Sequence, residues 1–279
     1  MKVTIIGMGL IGGSMALALK EKGMATSIIG VDENPLHRQQ ALELGLADEM
    51  KELDEAVCAA DLVILAVPVN AVGKLLQQVL ANVTTQVVMD TGSTKDQVCA
   101  MAATCKNRNR FVATHPMWGT EHSGPGAAVK HAFINKAAVI CNKEQSDADA
   151  VALVEEIYSS LGMHLLYMDA AAHDLHAAYV SHISHITSFA LANTVLEKEK
   201  EEDAIFELAS GGFESTVRLA KSNPDMWVPI FKQNRDNVLD VLNEHITQLR
   251  KIKSCLEKEN YEYLKELIEN ANKIKRILK

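Results

Sequence analysis

Short apolar runs alternate with amphipathic segments through the first 168 residues of the chain. Residues 11–23 and 35–45 have the three- and four-residue apolar spacing of helices, and each segment ends at a glycine that can close a helix. A third predicted helix covers residues 146–161. The predicted strands are residues 2–6, 27–32, 61–67, 86–90, 110–114, 137–141 and 164–168. Strands that alternate with helices predict an α/β domain built on a parallel, doubly wound sheet.

The apolar pattern changes period near Asp169. From Ala170 onward no segment has strand composition, and residues 170–202 and 234–279 carry apolar stripes of helical spacing. Their charged flanks, residues 199–202 and 273–279, are expected to face solvent. The sequence therefore predicts an α/β domain over residues 1–168 and an all-helical domain over residues 169–279. Because the second domain is small and its stripes are long, we expect it to pair two copies of the chain as a homodimer.

Composition and charge narrow the function classes. Of the 279 residues, 48% are apolar and 23% are charged, which is typical of a folded enzyme. The formal net charge of −8 argues against a nucleic-acid or membrane-surface binder, because phosphate contacts need a basic face. The five cysteines are scattered without a C-x-x-C pair, and neither a membrane-spanning run nor a signal peptide is visible. We therefore expect a reduced, cytoplasmic protein.

A glycine loop lies between the first predicted strand and the first predicted helix, where residues 7–12 read GMGLIG. The first glycine permits a tight turn, the second lets the backbone approach a pyrophosphate, and the third lets the helix pack closely on the strand. The start of the helix also offers N–H donors to phosphate. The loop thus predicts a Rossmann-type dinucleotide-binding domain. The residues assigned to the cofactor here are Gly7, Gly9, Leu10, Ile11 and Gly12.

Two further positions belong to the predicted cofactor site. Asp32 ends the second strand, 20 residues after Gly12, where a carboxylate can accept a hydrogen bond from the ribose 2′-OH. A carboxylate there repels a 2′-phosphate, so the sequence favours NAD over NADP. Val67 and Pro68 close the apolar run predicted as a strand at residues 61–67. They fit a loop at the carboxyl edge of the sheet beside the cofactor, although an ordinary strand end is the alternative.

Four histidines lie between His173 and His185. A shared metal centre is disfavoured because His173 and His182, like His176 and His185, are nine residues apart and point to opposite sides of a helix. We predict no metal. His173 and His176 are expected to be exposed at the start of a helix. His182 and His185 lie among apolar residues, and the pattern leaves open whether each is a core histidine or faces a site.

Arg218 follows the glycine pair at residues 211–212 on a predicted helix. Its guanidinium group can clamp a carboxylate through two parallel hydrogen bonds. Alternatively, it can pair with Glu214, four residues earlier on the same helix.

Four motifs, together with the glycine loop, make the chain resemble the prephenate/arogenate dehydrogenase family from Lys2 to about His245. The motifs are DTGSTK at residues 90–95, HPMWGTEHSG at 115–124, SHISH at 181–185 and the segment from Gly211 to Trp227. The glycine loop is shared with many dehydrogenases, whereas these four motifs in this order are specific. The resemblance implies a dinucleotide-binding domain followed by a helical substrate-binding and dimerisation domain.

The resemblance also implies a role for each matching residue. His115 would take the proton of the substrate ring hydroxyl, and Ser93 would orient His115 and touch the cofactor. Arg218 would hold a substrate carboxylate. The remaining residues implied to bind substrate or line its pocket are His182, His185, Glu121 and Trp227.

The implied reaction explains these residue types. Prephenate is a dianion on a cyclohexadienol ring, and its NAD-dependent oxidative decarboxylation gives 4-hydroxyphenylpyruvate in tyrosine biosynthesis. That chemistry needs a histidine base, a fixed cation for a carboxylate and a positioned cofactor. The alternatives are arogenate as the substrate, a β-hydroxyacid dehydrogenase, and a non-catalytic NAD-sensing protein. The β-hydroxyacid class uses a lysine early in the helical domain, and no lysine occurs between Asp169 and Glu197.

Two positions depart from the family pattern. Trp118 stands where small residues are common, so its indole would narrow the pocket or contact a neighbour. Ser184 stands where proline is usual between the two histidines of SHISH, which removes the helix kink that a proline can impose.

Overall fold

An eight-stranded sheet forms the centre of the first part of the chain in the computed structural model, which describes residues 1–200 and 205–277. The strands are β1 (Lys2–Ile6), β2 (Ser27–Val31), β3 (Glu49–Met50), β4 (Leu62–Leu65), β5 (Val87–Asp90), β6 (Phe111–Pro116), β7 (Ala137–Cys141) and β8 (His164–Met168). They lie in the order β3-β2-β1-β4-β5-β6-β7-β8. The strand order reverses between β1 and β4, and such a switch point opens a ligand crevice at the carboxyl ends of the strands.

Helices cover both faces of the sheet. They are α1 (Leu10–Glu21), α2 (Pro35–Glu43), α3 (Leu53–Ala59), α4 (Val69–Asn82), α5 (Asp96–Ala102) and α6 (Ala148–Ser160). Successive side chains of a strand point to opposite faces, so β4 places Leu62 and Ile64 in one apolar cluster and Val63 and Leu65 in the other. Burial on both faces explains why central strands such as β4 and β5 read as continuous apolar runs, whereas β8, at the edge of the sheet, is largely exposed.

The predicted α/β class is confirmed, but two strands run against the others. Strands β1 to β6 are parallel, whereas β7 pairs antiparallel with β6 and β8 is parallel to β7. A parallel neighbour needs a crossover that returns the chain to the opposite end of the sheet. Residues 117–136 contain only a short 3₁₀ turn at Pro125–Ala127, so the chain re-enters the sheet beside the end of β6, with Pro116 opposite Ala138. The two-residue strand β3 was not predicted, because two residues carry no period.

The part of the chain that follows β8 is all-helical within the described residues, as predicted. Its helices are α7 (Ala170–Ala177), α8 (Ile183–Glu199), α9 (Gly211–Val217), α10 (Pro224–Gln233), α11 (Arg235–Glu257) and α12 (Tyr261–Ala271). A π-helical turn, Ala178–His182, joins α7 to α8. Residues 201–202 of the predicted charged flank and residues 278–279 of the last predicted stripe lie outside the described residues. None of the described helices has the length and apolar content needed to cross a membrane.

The chain divides into two compact units, Met1–Asn234 and Arg235–Lys279. The first unit contains the sheet and the helices up to α10, because Val69 of α4 packs in one apolar cluster with Trp227 and Ile230 of α10. The second contains α11 and α12, which contact each other. The domain boundary near Asp169 stays a prediction, since it rests on the change of period and not on compactness.

Candidate active site

The glycine loop joins β1 to α1 in a backbone shape that side chains would block. Gly7 has φ of +95°, and a Cβ atom there would lie 2.4 Å from the carbonyl oxygen of Ala66. A Cβ atom on Gly12 would lie 1.9 Å from the carbonyl oxygen of Gly7, so the predicted close packing is present. Gly9 faces open space, with no atom within 4 Å of where its Cβ would stand. The surface at Gly9 and at the start of α1, with Leu10 and Ile11, therefore remains accessible to a phosphate group.

Asp32 is held rigidly at the end of β2. Its carboxylate accepts hydrogen bonds from the backbone N–H groups of Met8 and Asn34, each at 2.9 Å. The guanidinium group of Arg38 donates to the Asp32 carbonyl oxygen at 3.4 Å and lies 3.2 Å from a carboxylate oxygen of Glu52. The nearby cation is therefore already engaged, and the carboxylate of Asp32, the residue predicted to contact the ribose, is held by two backbone donors.

Strand β4 ends at Leu65, two residues before the predicted strand end, and Val67 and Pro68 lie in the loop between β4 and α4. A Cβ atom on Gly7 would approach Cγ1 of Val67 to 2.9 Å, so this loop packs against the glycine loop. Pro68 precedes the first residue of α4 and is exposed.

His115 is buried at the carboxyl end of β6, with only 9% of its surface exposed. Its Nδ1 atom lies 2.9 Å from Nε2 of His173 on α7, and Nδ1 of His173 lies 2.8 Å from the carboxylate of Asp174.

The prediction that His173 is exposed is wrong: 2% of its surface is accessible. The face of α7 that carries His173 and Asp174 also buries Ala170 and Ala177, and that spacing of small apolar residues was the overlooked signal. His176 is exposed, as predicted.

A buried ion pair between Lys95 and Asp90 lies next to the cluster of His115, His173 and Asp174. The ammonium group of Lys95 donates to the carboxylate of Asp90, and neither side chain has any exposed surface. The Asp90 carboxylate also accepts from the N–H groups of Gly92 at 2.9 Å and Thr114 at 3.0 Å. Asp90 and Lys95 are the first and last residues of the DTGSTK motif, and their pairing was not apparent from the sequence.

His115 is unprotonated near neutral pH in this environment. Burial lowers its pKa well below the ordinary value of 6.5, because the charged imidazolium is desolvated. The neighbouring rings of His173 and His182 and the Lys95 ammonium group lower this pKa further. A bound anionic substrate would act in the opposite direction, since a negative charge within a few ångströms stabilises imidazolium. The ligand-free protein therefore presents His115 as a proton acceptor.

Ser93 lies half-buried in the loop after β5. Within the described residues it makes no hydrogen bond to His115, whose Nδ1 atom is occupied by His173. The role predicted for Ser93 stays a prediction, and the contact that orients His115 in this structure comes from α7.

His182 and His185 occupy different environments, although both belong to the SHISH motif. His182 is buried in the π-helical turn, where its Nδ1 atom accepts a hydrogen bond from Nδ2 of Asn234 at 3.2 Å. His185 is half-buried and stacks on Trp227, with ring centroids 3.5 Å apart. The indole N–H of Trp227 is buried without a hydrogen-bond partner in the part of the chain that the structure describes. His182 thus has the contacts of a core histidine, while His185 and Trp227 form a stacked aromatic pair in which Trp227 is buried and His185 is half-buried.

The two departures from the family pattern have local explanations. Trp118 contacts a neighbour: its ring packs edge-on against Phe133, with centroids 5.5 Å apart, and it borders the main apolar core. Ser184 is exposed at the start of α8, immediately after the π-helical turn. A π-helical turn changes the course of a helix without proline, and such turns are frequent at functional sites.

Arg218 and Glu121 form an ion pair between two motifs that are far apart in sequence. The distance between Nη1 of Arg218 and Oε2 of Glu121 is 3.0 Å, and about half of the arginine side chain is exposed. The alternative pairing of Arg218 with Glu214 is not present among the described contacts. A cation with an exposed face and an exchangeable partner suits the binding of a carboxylate.

Burial of His182 predicts a pH dependence of stability. Desolvation lowers its pKa to about 4, although the Asp174 carboxylate opposes this shift. Because the folded pKa lies below the unfolded value near 6.5, the folded protein binds fewer protons between these limits. The free energy of unfolding should therefore be greatest above pH 6.5 and fall as the pH decreases towards 4.

Replacing His182 by asparagine should reduce the dependence of the unfolding free energy on pH by the equivalent of up to about one bound proton, because asparagine does not titrate in this range. The asparagine carbonyl group can still accept from Asn234, so the fold should be retained. Urea denaturation at several pH values between 4 and 7.5 measures the slope in each protein. Identical slopes for wild type and His182→Asn would contradict the prediction.

Comparison with known proteins places the chain beside a set of dehydrogenases. The family model described as "Prephenate dehydrogenase, nucleotide-binding domain" matches residues 15–167, and "Prephenate dehydrogenase, dimerization domain" matches residues 169–270. A prephenate dehydrogenase of Bacillus subtilis is 33% identical over 95% of this chain and 73% of its own length. A cyclohexadienyl dehydrogenase of Zymomonas mobilis is 30% identical over 99% of this chain and 96% of its own length.

A solved structure is also similar over the whole chain. The prephenate dehydrogenase from A. aeolicus, determined in complex with hydroxyphenyl propionate and NAD⁺, is 30% identical and superposes with a TM-score of 0.89. The similarity covers 99% of this chain and 97% of that chain.

Proposed function

The chain belongs to the prephenate dehydrogenase family, and on that premise we propose that it catalyses the NAD-dependent oxidative decarboxylation of prephenate to 4-hydroxyphenylpyruvate. The observation that carries the proposal is the buried, unprotonated His115 at the carboxyl edge of a sheet that bears a glycine loop on the same edge. A histidine in this state can accept a proton at the edge where parallel sheets of this type bind their ligands.

The reaction assigns a task to each group of residues. NAD, when bound, supplies the hydride acceptor for C4 of the ring. His115 takes the proton of the C4 hydroxyl group as the C–H bond breaks. Cleavage of the bond to the ring carboxylate releases carbon dioxide and leaves its electron pair in the ring, and the ring oxygen recovers the proton from His115, so that the phenol forms. The cation of Arg218 binds a substrate carboxylate. The half-buried ring of His185, stacked on the buried Trp227, offers an aromatic surface against which a six-membered ring can pack.

The cofactor residues support NAD as the nucleotide. Asp32 presents a fixed carboxylate, which can accept from a ribose 2′-OH and repels a 2′-phosphate. Arg38 is engaged by Glu52 and by the Asp32 carbonyl group. Gly7, Gly9 and Gly12 provide the close approach that a pyrophosphate needs.

Purified protein assayed for NADH formation with prephenate tests the proposal. Rapid turnover with NAD and weak turnover with NADP are expected. L-arogenate, which carries an amine in place of the side-chain ketone, is the second candidate substrate, and the similarity to a cyclohexadienyl dehydrogenase favours testing it. Preference for arogenate would leave the base and the cofactor site unchanged. Absence of turnover with both substrates would overturn the proposal and favour a β-hydroxyacid dehydrogenase or an NAD-sensing protein.

Replacing Arg218 by glutamine should raise KM for prephenate about 10- to 100-fold, because a charge-assisted hydrogen bond to a carboxylate contributes roughly 1.5–3 kcal/mol. The value of kcat should change little, since the carboxylate is bound in both the ground state and the transition state. Steady-state kinetics at saturating NAD measure both constants. Arg235→Gln, which removes an exposed arginine paired with Asp236, is the matched control. An unchanged KM in Arg218→Gln would remove Arg218 from the substrate site.

The homodimer and the cytoplasmic location are also proposals. The second family model is described as a dimerization domain, and it covers α11 and most of α12. These helices expose large apolar side chains that a second copy of the chain could cover, among them Leu249, Ile252, Leu256 and Ile268. All five cysteines are unpaired, which is consistent with a reducing compartment.

A further inference from the structure

Behind His115 lies a chain of hydrogen bonds that the proposed reaction does not itself require. His115 Nδ1 faces Nε2 of His173 at 2.9 Å, and His173 Nδ1 faces Oδ1 of Asp174 at 2.8 Å. All three side chains are buried, with exposed fractions of 9%, 2% and 3%. The imidazole that takes the substrate proton is thus fixed on its rear side by protein atoms and not by solvent.

The last group in this series of hydrogen bonds is the carboxylate of Asp174, which two backbone donors hold in one orientation. Oδ1 of Asp174 accepts from the N–H group of Lys95 at 2.7 Å, and Oδ2 accepts from that of Asp96 at 3.0 Å. Both N–H groups belong to the start of α5, since Lys95 is the N-cap of that helix and Asp96 is its first residue. Asp174 therefore offers His173 a carboxylate oxygen whose position is fixed by two backbone hydrogen bonds.

The direction of each hydrogen bond follows from that carboxylate. Both oxygens of the Asp174 carboxylate accept from backbone N–H groups, so Nδ1 of His173 carries the proton and donates it to Oδ1. In a neutral imidazole the other nitrogen is then an acceptor, so Nε2 of His173 accepts from Nδ1–H of His115. The remaining nitrogen of His115, Nε2, is left with a lone pair.

We propose that His173 and Asp174 are positioning residues that hold His115 in the tautomer whose Nε2 atom can accept the substrate proton. This inference rests on the proposed function, in which His115 is the base. The opposite tautomer would place a proton on Nε2 and could not act. After proton transfer, His115 becomes an imidazolium ion whose Nδ1–H still donates to His173, so the proton is accepted without any group having to rotate.

The arrangement is also what keeps the ring from flipping. A rotation of the His115 ring by 180° would bring a carbon atom to His173, and a buried N–H group would lose its partner. For a serine protease triad, exchange of the orienting carboxylate for an amide lowers kcat about 10⁴-fold while the geometry is kept. Positioning through a second histidine should have a smaller effect, because His115 keeps its place on β6.

Two substitutions at His173 separate positioning from packing. Asparagine at residue 173 keeps a donor near Asp174 but has no atom where Nε2 stood, so His115 loses its acceptor. Glutamine reaches that position with a carbonyl group that can accept from His115 Nδ1–H. We expect His173→Asn to lower kcat roughly 10- to 100-fold, below the 10²- to 10⁴-fold effect of a general base itself, and His173→Gln to recover about tenfold. KM for prephenate and for NAD should stay within about threefold in both variants.

The tautomer itself is measured by ¹⁵N NMR of histidine-labelled protein, in which protonated and unprotonated ring nitrogens are distinguished. The signals of His115 are identified by their loss in His115→Asn. At neutral pH we expect a protonated Nδ1 and an unprotonated Nε2 in the wild type, and a mixture of tautomers in His173→Asn. His176→Asn, an exposed histidine on the same helix, is the control and should match the wild type in kcat and in spectrum.

Three results would overturn the inference. The first is a protonated Nε2 on His115 in the wild type at neutral pH, a measurement that needs no variant to fold. The second is a wild-type kcat in folded His173→Asn. The third is an equal loss of kcat in His173→Asn and His173→Gln with the wild-type tautomer retained, which would make His173 a packing residue. Failure of the proposed function is distinguishable, because it would appear as absent turnover in the wild type while the tautomer is still measured on ligand-free protein.

Discussion

Replacement of His115 by asparagine is expected to lower kcat by roughly 10²- to 10⁴-fold, the usual contribution of a general acid–base residue. Asparagine keeps a short polar side chain that can still donate to Nε2 of His173, so the fold around β6 should survive. It carries no nitrogen that can take a proton near neutral pH. The loss should therefore fall on the chemical step and not on the binding of either substrate.

Binding of NAD should be unaffected in His115→Asn, because the glycine loop follows β1 and Asp32 follows β2, and both strands are separated from β6 by β4 and β5. Titration of NAD by isothermal calorimetry measures this, and stopped-flow or steady-state NADH formation measures kcat. His164→Asn removes an exposed histidine on β8 and is the matched control, with wild-type turnover expected. Unchanged turnover in His115→Asn would show that another group is the base.

Replacement of Lys95 by methionine is expected to lower the free energy of unfolding by about 3–5 kcal/mol, the usual cost of leaving one partner of a buried ion pair without the other. The Asp90 carboxylate would then remain fully buried with only the N–H groups of Gly92 and Thr114 as donors. Methionine fills a volume similar to that of lysine, so the effect reports charge and not a cavity. Urea denaturation followed by circular dichroism measures the change.

Two comparisons make the Lys95 prediction specific. Lys51→Met removes a lysine that pairs with Glu55 at the surface, and it should leave stability close to the wild-type value. The double variant Lys95→Met with Asp90→Asn removes both buried charges and should be more stable than Lys95→Met alone. Stability of Lys95→Met within error of the wild type would show that the pair contributes little.

The buried cluster also explains why the ion pair and the base lie together. Lys95 contributes a backbone N–H group to Asp174 and a side-chain ammonium group to Asp90, so one residue connects β5, α5 and α7. A positive charge enclosed behind His115 disfavours a second one on its ring. The same cluster thus stabilises the fold and keeps the base unprotonated.

The sequence by itself determined the features that follow from residues close together in the chain. The alternation of strands and helices up to residue 168, the glycine loop at residues 7–12 and the position of His115 at a strand end follow from spacing within a few residues. Strands β1, β7 and β8 were predicted to the residue from their apolar runs. Strands β1 and β7 are buried, whereas β8 lies at the edge of the sheet and is largely exposed. The residue types that the chemistry requires were therefore recognisable from the sequence and from its resemblance to a family.

Only the tertiary structure decided which of these residues meet. His115 and His173 are 58 residues apart in the sequence, and Arg218 and Glu121 are 97 apart. The spacing of residues within one helix or strand therefore cannot predict these contacts. The burial of His173 depends on the packing of α7 near the end of β6, and the reversal of β7 depends on the path of residues 117–136. Composition and spacing fix which way a side chain faces on its own element. The environment of that face, and with it the pKa of His115, is set by the elements that pack against it.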